Sequence, residues 1–324
     1  MMSITPKTMN GKPVLYTSSP KILRKNPHYQ AKQLCDGFSF SAGSTCAFSC
    51  AYCLTPELLK KCSPLSPLSP FTLGGSVIRR RHAADILHRQ LYDGRTYAAK
   101  YSDPNDRRVV LGSPQVDVGA NEELSHETIE ICRSILKATH WQIRLLSRGN
   151  LLPMIAEALK EHKERMIYGV SLSTLDESLA AALEAGTPTP AQRIASLHQL
   201  QNEGYRTCVV VGPILPQKEY RKFARDIFQA IRPMRCEHVW TEFISRHQSS
   251  VRTTAKALLQ AGYTTLAYQL PDAMDGYRRE GHARQAYLAL VKKIAPHKLR
   301  FLHHCQGNSY QWWRPYENKG VILE

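Results

Sequence analysis

The run Met166-Ile-Tyr-Gly-Val-Ser-Leu-Ser173 reads as a strand, and the segments on either side of it decide the fold. Upstream, Trp141–Leu146 (WQIRLL) and Arg107–Gly112 (RRVVLG) are further strands, with helices at Leu151–Lys163 and Glu122–Ala138. Pro153 falls in the first turn of its helix, where its missing N–H costs nothing. Downstream, helices at Glu177–Ala185 and Ala191–Glu203 lead to the strand Tyr205–Val211 (YRTCVVV), the helix Glu219–Ile231 and the strand Glu237–Phe243. Short apolar runs separated by helical stretches spell βα units on a parallel sheet. With Cys35–Ser44 as the first strand the count reaches six. The expected fold is α/β: a partial (β/α)6 TIM-type barrel over residues 34–245, after a basic N-terminal arm (1–33) and before a C-terminal extension (246–324). That extension is expected to close the barrel or contact substrate. Within it Arg252–Ala261 and His282–Ile294 read as helices and Leu299–His304 as one more strand. Barrels of this kind gather ligands at the C-terminal ends of their strands.

The segment after the first strand is Cys46-Ala-Phe-Ser-Cys50-Ala-Tyr-Cys53, a CxxxCxxC pattern. Three thiolates on one short loop can hold three irons of a cubane cluster and leave the fourth without a protein ligand. An open coordination position marks a metal site built for chemistry. The run resembles the signature of the radical S-adenosylmethionine (radical SAM) enzymes. That resemblance implies a [4Fe–4S] cluster on Cys46, Cys50 and Cys53, with SAM chelated at the open iron. It also implies one-electron cleavage of SAM to a 5′-deoxyadenosyl radical. A structural zinc site with Cys35 or Cys62 as fourth ligand stays open, although no second CxxC-like knuckle occurs. Disulfides are disfavoured, because nine cysteines is an odd number and no signal peptide precedes them.

From Val109 to Pro216 the sequence is similar to the spore photoproduct lyase-like branch of that superfamily. The likeness rests on Ser171-Leu-Ser-Thr, Leu183-Glu-Ala-Gly-Thr-Pro-Thr-Pro190, Arg193 and Val209-Val-Val-Gly-Pro-Ile214. Ala185 stands where the branch has a proline in its glutamate run. The resemblance implies SAM contacts at Tyr52, Ser113, Arg148, Ser171, Glu184 and Arg193, with Gly212-Pro213 leaving backbone groups for adenine. Arg148 takes the place of a lysine that reaches the SAM carboxylate, and its fork changes the geometry while keeping the charge. Ser171 matches a serine on the ribose or methionine portion, and Glu184 with Arg193 form a charged pair framing the site. Each position also has an ordinary structural reading, a helix-capping serine or an ion pair joining two helices. Spore photoproduct lyase carries a hydrogen-returning cysteine beside the second strand; Val109–Ser113 has none. Cys132 and Cys208 read as small buried hydrophobes, with Cys305 open.

The chain of 324 residues carries 43 Lys and Arg against 27 Asp and Glu, a formal charge of +16. That excess favours polyanions, chiefly nucleic acid. Basic groups recur at Arg24-Lys25, Arg79-Arg80-Arg81-His82, Arg107-Arg108, Arg278-Arg279 and Lys292-Lys293. No apolar run approaches the roughly 18 residues of a membrane helix, and the expectation is a cytoplasmic protein. Cys62–Pro70 carries three Ser-Pro steps and cannot be helical; an ordered surface excursion is expected. The aromatic and cationic tail Gln311–Tyr316 could stack bases or pack over the barrel end. The combined expectation is a radical SAM enzyme acting on a nucleic acid or nucleotide-like substrate, as a repair lyase or base-modifying enzyme. An electron donor such as flavodoxin or ferredoxin would serve it. Two alternatives stand beside it: radical chemistry on a peptide or small metabolite, and a non-catalytic zinc or iron–sulfur protein that binds nucleic acid.

Overall fold

The computed structural model describes residues 7–17, 21–60, 75–112, 114–305 and 309–323. The Ser-Pro tract at 62–70 and the candidate Ser113 lie outside them. The chain divides into two compact units, Met1–Ser49 with Thr55–Tyr168, and Cys50–Leu54 with Gly169–Glu324.

In the first unit, residues read as an irregular arm form strands. β1 (Thr8–Met9) and β2 (Lys12–Thr17) make a hairpin whose turn residues, Asn10 and Gly11, have φ of 47° and 75°. Two successive positive φ values are what a two-residue hairpin turn with native twist requires, and Asn-Gly tolerates them. β3 (Leu23–Lys25) pairs antiparallel with β4 (Phe38–Phe40). The two-residue β5 (Ser49–Cys50) is bisected by the unit boundary. β6 (Val77–Arg80) pairs in parallel with β2. β7 (Val109–Gly112) lies parallel between β4 and β8 (Gln142–Ser147), with Val110 opposite both Phe38 and Ile143. β9 (Met166–Leu172), buried along its whole length, begins here and ends in the second unit. The strand order on this side is β3-β4-β7-β8-β9. The helix Glu122–Ala138 starts where the Asn121 side chain accepts from the Leu124 amide. It buries Leu124, Thr128, Ile131, Cys132 and Ile135 at helical spacing, and packs against Ala83–Leu91. Full burial of one such aliphatic side chain contributes about 1.5–3 kcal/mol.

In the second unit the order continues β9-β11-β12-β13-β14. The short β10 (Glu184–Ala185) caps the helix Glu177–Leu183. β11 (Arg206–Ile214), β12 (Val239–Phe243), β13 (Leu299–His303) and β14 (Val321–Leu323) are parallel, with Val209 opposite Val239 and Val239 opposite Leu299. A reciprocal capping box between Thr189 and Gln192 opens the helix Pro190–Asn202. The helix Tyr220–Ile231 packs on Gly276–Leu290.

All six strands read from the sequence are present, and the mostly parallel α/β sheet with them. Boundaries differ for local reasons. The segment read as one helix over 151–163 is α-helical only at Leu152–Ala158, then 3-10 at Lys160–Arg165, where His162 leaves helical φ/ψ. β11 runs on from Val211 to Ile214, its ladder to β12 interrupted between those two residues. Among the described residues the extension holds the helices Gln248–Gln260, Thr264–Ala273 and Gly276–Leu290, and the short Ser309–Trp313. Thr264–Ala273 has Pro271 in its last turn, where it supplies no N–H to the helix ladder. Trp313 of the tail is fully buried. It stacks on Phe301 at 5.6 Å and donates its indole N–H to Glu280 at 2.8 Å, so this tryptophan packs within the core. Among the described residues no helix is long and apolar enough to cross a membrane.

Candidate active site

The cysteine loop leaves the C-terminal end of β4. In the first unit its leading half is fixed by backbone and side-chain hydrogen bonds. The Ser44 amide donates to the Ile78 carbonyl at 2.8 Å. The Thr45 hydroxyl donates to the Ser76 carbonyl at 2.6 Å and accepts from the Ile78 amide at 2.8 Å. Lys12, from the β2 hairpin, donates its ammonium to the carbonyls of Phe48 at 2.6 Å and Cys46 at 3.4 Å. The Phe48 amide points at the Cys46 sulfur, 3.4 Å away. Cys46 and Cys50 are half-buried and Cys53 is exposed, while Cys35, Cys132, Cys208 and Cys236 are buried. Burial pushes the Cys35 and Cys132 thiols up, so those groups stay protonated and inert. The three loop cysteines therefore suit an iron–sulfur cluster in donor chemistry and accessibility. Cys35, the described candidate for a fourth zinc ligand, is a buried thiol.

The ends of β7 and β8 meet over Asp117, which the sequence reading passed over. Its carboxylate accepts from the Ser147 hydroxyl and the Arg148 amide, both at 2.6 Å, and from the Gly119 amide at 2.9 Å. Burial nevertheless raises its pKa, against those hydrogen bonds and the Arg148 charge. Ser147 in turn accepts from the Gly149 amide at 2.8 Å. A Cβ on Gly149 would stand 2.0 Å from the Gly119 carbonyl oxygen, so the two loops approach closer than any side chain allows. This clasp fixes the backbone of Arg148, whose guanidinium is the candidate for the SAM carboxylate.

In the second unit Tyr52, Glu184, Arg193 and Ser171 are brought together. The Tyr52 hydroxyl donates to Glu184 Oε1, and Arg193 Nη2 donates to Glu184 Oε2. Arg193 is wholly buried and Glu184 is 1% exposed. The arginine also donates to the carbonyls of Pro188 and Ser171, each at 3.0 Å, and to the Thr187 hydroxyl at 3.3 Å. Its donors are thus directed at protein acceptors. The trailing half of the cysteine loop is held by three further hydrogen bonds. The Ala51 amide donates to the Leu183 carbonyl at 2.7 Å. Ser250 donates to the Tyr52 carbonyl at 2.9 Å, and Thr253 donates to the Ala51 carbonyl. Two contributors, Ser250 and Thr253, belong to a helix whose pattern gave no hint of contact some 200 residues away.

No family model matches the sequence. Spore photoproduct lyase complexed with dinucleoside spore photoproduct superposes with a TM-score of 0.54 at 12% identity, over 80% of this chain and 72% of that one. The chain shares the fold of spore photoproduct lyase. A variant of spore photoproduct lyase with bound AdoMet and the dinucleoside gives 0.54 at 12% identity, over 76% and 66% of the two chains. Among curated sequences, an uncharacterized protein of Acidianus two-tailed virus is 23% identical over 203 residues, 62% of this chain and 63% of its own. An uncharacterized protein of Mycobacterium tuberculosis is 29% identical over 181 residues, 53% and 48%. The chain spans about half to under two thirds of the length of these curated relatives.

Proposed function

We propose that the chain is a radical SAM enzyme, with Cys46, Cys50 and Cys53 holding a [4Fe–4S] cluster and a nucleic acid or nucleotide-like molecule as substrate. The observation that carries the reading is the half-open CxxxCxxC loop at the end of β4, in a fold shared with spore photoproduct lyase. The cluster and SAM, when bound, supply a 5′-deoxyadenosyl radical that abstracts hydrogen. The chain's own residues hold and orient. Lys12 grips the Phe48 and Cys46 carbonyls and so holds the leading half of the loop. Tyr52 ties the other half of the loop to the buried Glu184–Arg193 pair, and Arg193 fixes the Ser171 carbonyl at the end of β9. The Asp117 clasp sets the Arg148 backbone so that its guanidinium can pair with the SAM carboxylate. Ser171 and Ser113 remain proposed contacts to SAM. The charge of +16 supports a polyanionic substrate, and a flavodoxin- or ferredoxin-like donor in the cytoplasm would supply the electron.

The absence of a cysteine over 109–113 separates the proposed reaction from one that returns hydrogen through a thiol at that strand. Anaerobic reconstitution with iron and sulfide, reduction, and assay against deuterated oligonucleotides tests the reading. Deuterium in released 5′-deoxyadenosine supports it; oligonucleotide-independent turnover removes the nucleic-acid half. A second reading, a peptide or small metabolite, is favoured by one feature. A groove of about 1300 Å³ in the second unit is lined by Lys218, Lys222 and Arg278 against Asp176, Glu219, Asp226 and Asp272. Such balanced charge suits a mixed-charge ligand better than a polyanion. SAM cleavage stimulated by peptide and indifferent to DNA selects it.

A further inference from the structure

A second, smaller cavity, of about 220 Å³, lies in the first unit where β4 runs into the cysteine loop. Arg24, Lys25 and Arg80 line it, with Ser39, Ser41 and Gln115, and no acidic side chain does. Arg80 is 5% exposed. Its guanidinium donates to the Ser41 carbonyl, and its contact with Gln115 is long, at 3.5 Å. Among the described residues no carboxylate pairs with it. Burial, together with the nearby Arg24 charge, lowers its pKa to about 10. The Ser41 hydroxyl is also buried, and it has no hydrogen-bond partner. A buried cation without a counter-ion and a buried hydroxyl without a partner are both costly in a folded protein. Both costs fall when an anion with several acceptor oxygens enters. The volume is below that of ordinary ligand pockets, about 300–1000 Å³, and suits one anionic group better than a whole nucleotide.

We infer that this cavity binds a phosphate group of the substrate, with Arg80 and Ser41 as buried donors and Arg24 and Lys25 at the rim. The inference rests on the proposed nucleic-acid reading and deepens it. Arginine forks and a hydroxyl match the tetrahedral oxygens of a phosphate. The position, at the root of the loop that carries Cys46, would register the substrate backbone against the reacting centre.

The test uses the full-length protein, a fluorescent single-stranded DNA dodecamer and inorganic phosphate as separate probes. Arg24→Gln changes an exposed side chain, and Ser41→Ala removes the unpartnered hydroxyl, so both are expected to keep the fold and melting temperature. Arg24→Gln should weaken dodecamer binding about three- to tenfold and flatten the log–log salt slope by about 0.7. Ser41→Ala should weaken it without loss of thermal stability, and inorganic phosphate should compete with the dodecamer only in the wild type. A terminal monoester as the true ligand would show as tighter binding of a 5′-phosphorylated dodecamer than of its unphosphorylated form; equal binding assigns an internal diester. Unchanged affinity and salt slope in both variants, with no competition by phosphate, overturns the proposal while leaving nucleic-acid binding intact. If the wild type binds no DNA but shows phosphate binding that Arg24→Gln abolishes, the cavity assignment stands and the nucleic-acid reading fails.

Discussion

Replacing Glu184 by Gln is the most informative single change in the second unit. The substitution keeps shape and leaves an acceptor for Tyr52, but it removes the formal charge that pairs with Arg193 among the described residues. Both side chains are wholly buried, so the arginine becomes an uncompensated interior cation. Breaking a buried pair from one side costs about 3–5 kcal/mol. For a unit of this size each kcal/mol lowers the melting temperature by about 2–4 °C, so the expected loss is about 6–20 °C. Adding Arg193→Met removes the orphaned charge. The double variant should therefore lose less than the two single losses added together. It should not recover fully, because the Ser171 and Pro188 carbonyls lose their donor. Urea unfolding of the four proteins, followed by tryptophan fluorescence, measures the cycle. A Glu184→Gln loss below about 1 kcal/mol, or strict additivity, would refute the view of this pair as the buried post to which Tyr52 is tied.

Three further changes probe the remaining supports. Asp117 has a carboxyl raised above its ordinary value of 3.8 by burial, so below that value neither state pays for a charge. As pH rises the unfolded chain ionises first, and the fold loses stability until pH passes the raised folded value. The stability of the wild type relative to Asp117→Asn should thus move against the wild type from about pH 4 upward; a pH-independent difference contradicts this. Gly149→Ala drives a methyl to 2.0 Å from the Gly119 oxygen and should cost about 1–3 kcal/mol in chemical denaturation; an unchanged midpoint would deny the close approach. Lys12→Met removes the ammonium that grips the Phe48 carbonyl, and should lower iron bound per chain after reconstitution while the far-ultraviolet spectrum stays native. Wild-type iron content in that variant would dismiss Lys12 as a support.

The central strands were legible because they are covered on both faces and leave unbroken apolar runs. β9 is buried at every residue, and its sequence contains no charged side chain. β1 to β3 were not legible for the opposite reason: β2 alternates partly buried and exposed positions, and β3 is three residues long. The Asn10-Gly11 turn was the one available signal for that hairpin. The helix Thr264–Ala273 was hidden by Pro271, which reads as a breaker but sits in the last turn. At the candidate site, spacing alone identified the three cysteines, and the branch resemblance marked Glu184 and Arg193. Asp117, Lys12, Ser250 and Thr253 carry no local pattern. Their partners are set by chain crossings that bring distant segments to the loop, and single polar residues in a sequence do not declare such meetings.

The central claim is that the chain cleaves SAM by one-electron chemistry at a cluster held by Cys46, Cys50 and Cys53. The most direct measurement is 5′-deoxyadenosine formed from SAM by the anaerobically reconstituted, dithionite-reduced protein, set beside its triple alanine variant. The account requires product and cubane absorbance in the wild type and neither in the variant. Wild-type protein that binds iron and sulfide yet forms no 5′-deoxyadenosine, or a triple variant that still forms it, would contradict the account.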